Sequence, residues 1–236
     1  MKVYPSLSEA HVPYLSIIIE ALDPYVDGYH IDIMDSHFVF NLSWGPTLVK
    51  VVSAYTKKTL WLHCMVTQPE KILALYTNKN HKYIISVHQE TITDWTKIQK
   101  YKQTYDVSFG IALDPATDIS TMLPYIKDID HILIMTVQPG ASGQPFLTDM
   151  WDKIDHAHQL CVEYNPKCVV AVDGGVTLSH LMQLKNKSVE MIAAFSAIFG
   201  DEAIKSVCQY NYEMQEKNIN QYLELCVNKI KQIKAV

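Results

Sequence analysis

The sequence predicts the α/β class, and within it a (β/α)8 TIM barrel built as a single domain over residues 1–236. Short β-branched or apolar runs alternate with longer helix-period segments from one end of the chain to the other, which implies a parallel sheet with helices outside it. Eight such units can be counted with no linker-like stretch between them, whereas a doubly wound sheet usually has about five or six strands. The length of 236 residues also suits a closed barrel, for which roughly 250 is typical.

In order, the strand-like runs fall near Lys2–Pro5, Tyr29–Met34, Thr59–Met65, Tyr83–Val87, Val107–Leu113, His131–Val137, Cys168–Asp173 and Met191–Phe195. Helical patterns lie between them at Val12–Ala21, Pro46–Tyr55, Pro69–Asn78, Thr93–Tyr105, Ile119–Ile126, Thr148–Tyr164 and Leu178–Leu184. Asp201–Cys208 and the longer Asn218–Ile233 follow the last strand. Asp94 and Asp118 stand where N-caps belong, and Thr148-x-x-Trp151 opens a helix after a Pro-Gly loop.

With 48% hydrophobic and 19% charged residues, the chain can bury a barrel-sized core without staples. The net charge is −5 and the pI about 6.0. Lysines are scattered, and the one cluster, from Lys229 to Lys234, reads as a last helical turn placed favourably against the helix dipole. A nucleic-acid-binding face is therefore excluded. None of the five cysteines forms a Cys-x-x-Cys pair, which suggests reduced thiols and a cytoplasmic protein. Pro5 and Pro13 break the N-terminal stretch, so it does not read as a signal peptide. No apolar run approaches the ~18 residues of a membrane span.

Strands of a parallel barrel are buried on both sides and should be continuously apolar. Three of these are not. His30 and Asp32, two apart in Tyr29–Met34, share one face. His63 sits near the end of Leu60–Met65, and Asp173 closes Val169–Val172 just before Gly174-Gly175. An unpaired buried carboxylate or imidazole costs several kcal/mol, and catalytic groups of such barrels lie at the C-terminal strand ends, where these four fall. Each alone would more often be a hydrogen-bonded structural group. Together, two histidines and two carboxylates suit one divalent ion, Zn2+ first, with Fe2+, Mn2+ or Co2+ as alternatives. Half of the eight glycines lie in Pro139-Gly140-Ala141-Ser142-Gly143-Gln144 and Gly174-Gly175. Such loops can bring backbone N–H groups close to an anion, and with Phe195-Ser196-Ala197-Ile198 they form a candidate phosphate site.

Several stretches, in the right order, resemble the ribulose-phosphate 3-epimerase family. Residues 29–41, from Tyr29-His30-Ile31-Asp32 through Asp35-Ser36-His37-Phe38-Val39-Phe40-Asn41, are similar to its signature H-x-D-x-M-D-G-H-F-V-P-N. His63-Cys64-Met65-Val66 is similar to its H-L-M-V, Met135-Thr136-Val137-Gln138-Pro139-Gly140 to M-[ST]-V-x-P-G, and Val172-Asp173-Gly174-Gly175-Val176 to V-D-G-G-[VI]. Pro5-Ser6-Leu7, His88-Gln89-Glu90 and Ala112-Leu113-Asp114-Pro115-Ala116-Thr117 fit as well.

The resemblance implies an isomerase of pentose phosphate metabolism that interconverts D-ribulose 5-phosphate and D-xylulose 5-phosphate with one divalent metal. It implies His30, Asp32, His63 and Asp173 as ligands, with Asp32 and Asp173 also the acid/base pair. Ser6 and His63 would touch the sugar phosphate, and Met34, Met65 and Met135 would lie by the reacting carbons. Ser142, Gly143, Gln144, Gly174, Gly175, Phe195 and Ser196 would surround the rest of it. A homo-oligomer, dimer or hexamer, is expected on the same basis. Inverting C3 needs a proton removed from one face and returned to the other, for which two carboxylates are the minimal device.

Four departures stand out. Ser36 replaces the usual glycine, Phe40 the usual proline, Ala141-Ser142 the first half of F-G-G-Q, and Phe195-Ser196 the usual Gly-Ser. A bulky residue at 195 would be strained if its φ were positive. The alternatives are an epimerase for D-allulose 6-phosphate, toward which Gly143-Gln144-Pro145-Phe146 leans, and a barrel relic without turnover.

Overall fold

The β-branched and apolar runs form eight strands: β1 Lys2–Pro5, β2 Gly28–Met34, β3 Thr59–Met65, β4 Tyr83–His88, β5 Ser108–Leu113, β6 His131–Met135, β7 Val169–Asp173 and β8 Val189–Ala194. The computed structural model describes residues 1–7, 12–43, 45–76, 80–199 and 216–236. Hydrogen-bonded neighbours follow the order β1-β8-β7-β6-β5-β4-β3-β2, every pair parallel. The ring comes nearly to closure between β1 and β2. There the Leu7 N–H donates to the His30 carbonyl at 3.0 Å and the Asp27 N–H to the Val3 carbonyl at 3.1 Å. The Asp27 carboxylate accepts the Val3 N–H at 2.8 Å.

Seven α-helices are described: α1 Leu15–Leu22, α2 Pro46–Tyr55, α3 Pro69–Tyr76, α4 Trp95–Tyr105, α5 Met150–Tyr164, α6 Leu181–Asn186 and α7 Glu216–Ala235. Their apolar faces and the outer faces of the strands share one core, with Ile18, Leu62, Phe109, Ile134 and Leu184 buried in it. On α7 the buried residues Tyr222, Cys226, Ile230 and Ile233 recur at helical spacing, and this face packs on α1 and β1. No described helix is long and apolar enough to cross a membrane.

The expected helix Ile119–Ile126 is instead two 3-10 turns, Ile119–Met122 and Ile126–Asp128. Pro124 stands between them, and its missing N–H and bulky ring stop an α-helix from continuing. The two aspartate caps hold: Asp94 accepts the Lys97 N–H at 3.2 Å, and Asp118 the Ser120 N–H at 2.8 Å. Pro13 likewise delays α1, which starts at Leu15 after a 3-10 turn Val12–Tyr14. Asn78 and Asp201–Cys208 lie outside the described residues.

Inside the barrel, Tyr4, Trp61, Leu133, Ala171 and Met191 form a second apolar cluster. Trp61 Nε1 donates to Ser86 Oγ at 2.8 Å, and Ser86 Oγ pairs with His131 Nε2 at 2.7 Å. Burial pushes His131 down to about 3, so it is neutral at pH 7. Its ring lies across Gly110, where an added Cβ would come within 2.4 Å of three ring atoms. Gly110→Ala should therefore cost about 1–3 kcal/mol of unfolding free energy in urea titrations, the usual range for overpacking; an unchanged midpoint would show that the interior has room to spare.

Between β2 and α2 the chain folds back over the barrel mouth. The Asp35 carboxylate accepts the N–H groups of His37 at 2.9 Å and Phe38 at 3.0 Å. It also accepts the Thr67 N–H at 2.8 Å and hydroxyl at 2.9 Å, clamping this loop to the one after β3. Ser36 sits at φ +59°, in the left-handed region that glycine enters freely and other residues enter at a cost of about 1–2 kcal/mol. Ser36→Gly should raise stability by up to about 1 kcal/mol in the same assay, and a loss would mean that the serine side chain compensates its backbone.

Candidate metal centre and substrate cleft

The β2–β3 register sets Asp32 opposite His63, and Asp173 enters from the end of β7. His63 Nδ1 is 3.1 Å from Asp32 Oδ1 and 3.1 Å from Asp173 Oδ2. His30 presents Nδ1 to Asp32 Oδ2 at 3.6 Å and Nε2 to Asp173 Oδ2 at 3.7 Å. One donor atom from each of the four lies within 4.8 Å of all the others. Both imidazoles are fully buried. Neither ring nitrogen of His30 has a hydrogen-bond partner among the described residues, a state that costs a buried polar group about 1–3 kcal/mol. Two imidazoles and two carboxylates around such an orphaned ring fit a borderline-soft divalent ion.

The electrostatics agree. Burial alone would raise the Asp32 carboxyl, but His30 and His63 beside it hold it well below the usual carboxylate range. Burial would lower His63, yet its hydrogen bonds to Asp173 and Asp32 raise it to about 9. Without an ion, an imidazolium thus balances the buried negative charge, the part a metal cation would take.

Hydrogen bonds to their backbone carbonyls hold both aspartates from behind. Ser43 Oγ donates to the Asp32 carbonyl at 2.5 Å and accepts the Met34 N–H at 3.1 Å. Thr136 binds the Asp173 carbonyl through its hydroxyl at 2.9 Å and its N–H at 2.8 Å. Ser6, expected against substrate, is buried beside the carboxylate, its Oγ donating to Asp32 Oδ2 at 3.1 Å.

Over the four groups opens a cleft reached by Asp32 and Asp173. Met34, Met65 and Met135 border it, as do Ser142, Gly143, Gln144, Gly174, Gly175, Phe195 and Ser196. His30, His63 and Ser6 lie beneath rather than along it. Gly174 and Gly175 have φ of +112° and +62°. A Cβ on them would meet Val137 and the Phe146 backbone, each at 2.4 Å, so the loops after β6 and β7 stack in a contact that only glycine permits.

Phe195 is not among the residues of positive φ, so the strain foreseen for it is absent. Its ring packs on Phe199 at 5.6 Å, and the Phe199 N–H closes a single turn on the Phe195 carbonyl at 2.7 Å. The Gln144 amide donates to its own loop, to the carbonyls of Gln138 at 2.7 Å and Ala141 at 2.9 Å. Asn41 Nδ2 donates to the Gly140 carbonyl at 2.9 Å, while Val39 packs on Met34 and Met65. The β2–α2 loop therefore bridges the mouth.

One histidine was not singled out from the sequence as a site residue. His88 closes β4 with its Nε2 2.9 Å from His63 Nε2. The signal that marks His63, a buried histidine ending an apolar strand, is present in Tyr83–His88 as well. Nearby, burial would raise Glu90, but His88 and Thr117 hold it at about 2.

Comparison with known proteins gives this geometry its context. The sequence profile described as the Ribulose-phosphate 3 epimerase family matches residues 2–199. The chain is 32% identical over 199 residues to a ribulose-phosphate 3-epimerase of Helicobacter pylori (strain J99), covering 84% of this chain and 91% of that one. It is 34% identical over 200 residues to one of Synechocystis, covering 84% and 86%. Among solved structures, 3-hexulose-6-phosphate synthase superposes with a TM-score of 0.64 at 14% identity, covering 100% of this chain and 99% of that one, a likeness of fold. Matched by the profile from β1 to the turn after β8, and by relatives over most of their own length, the chain belongs to the ribulose-phosphate 3-epimerase family.

Proposed function

We propose that the chain inverts C3 of D-ribulose 5-phosphate to give D-xylulose 5-phosphate, using Asp32 and Asp173 as alternating base and acid. The observation that carries this reading is that both carboxylates reach one cleft, from strands separated in the ring by β1 and β8, in a chain of this family. One carboxylate removes the C3 proton from its face of the sugar; the other delivers a proton to the opposite face. In the reverse reaction they exchange roles. Asp32 suits the basic part because its histidine neighbours keep it ionised.

His30, Asp32, His63 and Asp173 would hold a divalent ion, which when bound polarises the ketone oxygen at C2 and offsets the negative charge that grows there. The three methionines give a polarizable wall without an exchangeable proton. The glycine loops at 143 and 174–175 and the turn at Phe195-Ser196 are suited to receive the phosphate on backbone N–H groups.

The test is C3 exchange and epimerisation of D-ribulose 5-phosphate in deuterated water. Asp32→Asn and Asp173→Asn, folded by circular dichroism, should each lose about 10²–10⁴-fold in turnover, the span of acid–base catalysis. A near-normal rate in either refutes the two-carboxylate assignment. D-allulose 6-phosphate offered in parallel should react more slowly, and faster reaction would make the hexose phosphate the substrate.

A further inference from the structure

His63 and His88 meet ring to ring inside the barrel. Their Nε2 atoms are 2.9 Å apart, with ring centroids 5.0 Å apart and planes inclined by 22°, and both rings are fully buried. Two imidazole nitrogens at that distance share one proton, since two N–H groups would collide and two lone pairs would repel. The far end of His88 decides which ring supplies it. His88 Nδ1 lies 2.8 Å from Asp114 Oδ1 and 3.4 Å from Glu90 Oε2. The two atoms do not form a regular hydrogen bond, but two carboxylates at this end of the ring draw its proton to Nδ1. Nδ1 therefore carries the His88 proton. With its proton on Nδ1, His88 offers Nε2 as an acceptor, and when an ion occupies His63 Nδ1 the remaining proton of His63 sits on Nε2, 2.9 Å from it. What remains on His63 is Nδ1, the atom that faces Asp32 and Asp173.

We infer that His88, oriented by Asp114 and Glu90, is a positioning residue that keeps the His63 proton on Nε2 and so presents Nδ1 to the divalent ion. The inference rests on the metal-binding reading of the four-residue cluster. The surroundings hold His88 for this task. Phe38 packs on its ring at 4.6 Å, and the Thr91 hydroxyl donates to its carbonyl at 2.9 Å.

His88, Glu90 and Asp114 also bring donor atoms within 4.8 Å of one another and could be imagined holding an ion of their own. Two features favour the relay. His88 is already engaged with His63 through Nε2, and the Lys153 ammonium, donating to the Asp114 carbonyl at 2.5 Å and the Pro115 carbonyl at 3.3 Å, already supplies positive charge there.

Zinc affinity, measured on the full chain by competition with a chromophoric chelator, tests the inference without using turnover. The unaltered protein should take up one zinc. His88→Phe fills the space without accepting a hydrogen bond and should bind about 10–100-fold more weakly, the usual effect of losing such a partner. His88→Gln, whose Oε1 can accept from His63, should recover most of that loss. Asp114→Leu serves as the second variant should His88→Phe not fold, with a smaller loss expected. Nitrogen-15 NMR of the zinc-loaded unaltered protein needs no variant and should find the His63 proton on Nε2. Equal affinity in a folded His88→Phe overturns the inference and leaves the metal site standing, whereas a His63 proton on Nδ1 in the zinc-loaded protein overturns the inference and removes His63 from the ligand set. No zinc uptake by the unaltered protein overturns the metal reading itself. Two zinc ions per chain, falling to one in His88→Phe, would make the second trio a site of its own and equally overturn the relay.

Discussion

His30 stands with both ring nitrogens buried between two carboxylates, at the top of an interior otherwise floored by Trp61, Leu133 and Ala171. An apolar interior tolerates charge only when it is paired. With both carboxylates ionised and both imidazoles neutral, the cluster carries two negative charges, which one divalent cation cancels. A raised His63 does half of that when no ion is bound. The arrangement is thus self-consistent as a site that could receive a doubly charged ion.

The surrounding structure reads as a frame for that charge. Ser43 and Thr136 tie down the backbones of Asp32 and Asp173. The β1–β2 seam places Ser6 directly behind the Asp32 carboxylate. Above, the Asp35 clamp and the Asn41–Gly140 bond carry a loop across the mouth, so that Val39 closes over Met34 and Met65. Rigid placement matters because proton transfer at carbon depends on holding donor and acceptor in a near-attack geometry, worth several kcal/mol of barrier at about 7–11 in the best cases.

Much of this was legible in the sequence because polar residues in a two-sided apolar strand are conspicuous. His30, Asp32 and His63 could be picked out for that reason, and Asp173 by the glycines behind it. The eight strands were legible for the complementary reason, since their runs are apolar throughout. The rest depends on long-range register. That His88 would meet His63 follows from how β3 and β4 align and from both side chains pointing inward, which no local pattern states. Ser6, expected at the substrate, lies buried in the β1–β2 seam against the Asp32 carboxylate. Phe195 looked strained, but its backbone avoids the left-handed region and its ring turns to Phe199. The helix expected at Ile119–Ile126 gave too little weight to Pro124, a local signal that was present.

The central claim, that four side chains from three strands enclose one cation, is tested most directly by crystals grown with zinc and an anomalous difference map at the zinc edge. The account predicts a single strong peak bonded to His30, Asp32, His63 and Asp173 at about 2.0–2.2 Å. A map without that peak, or with zinc bound elsewhere while these four side chains keep their mutual contacts, would contradict it.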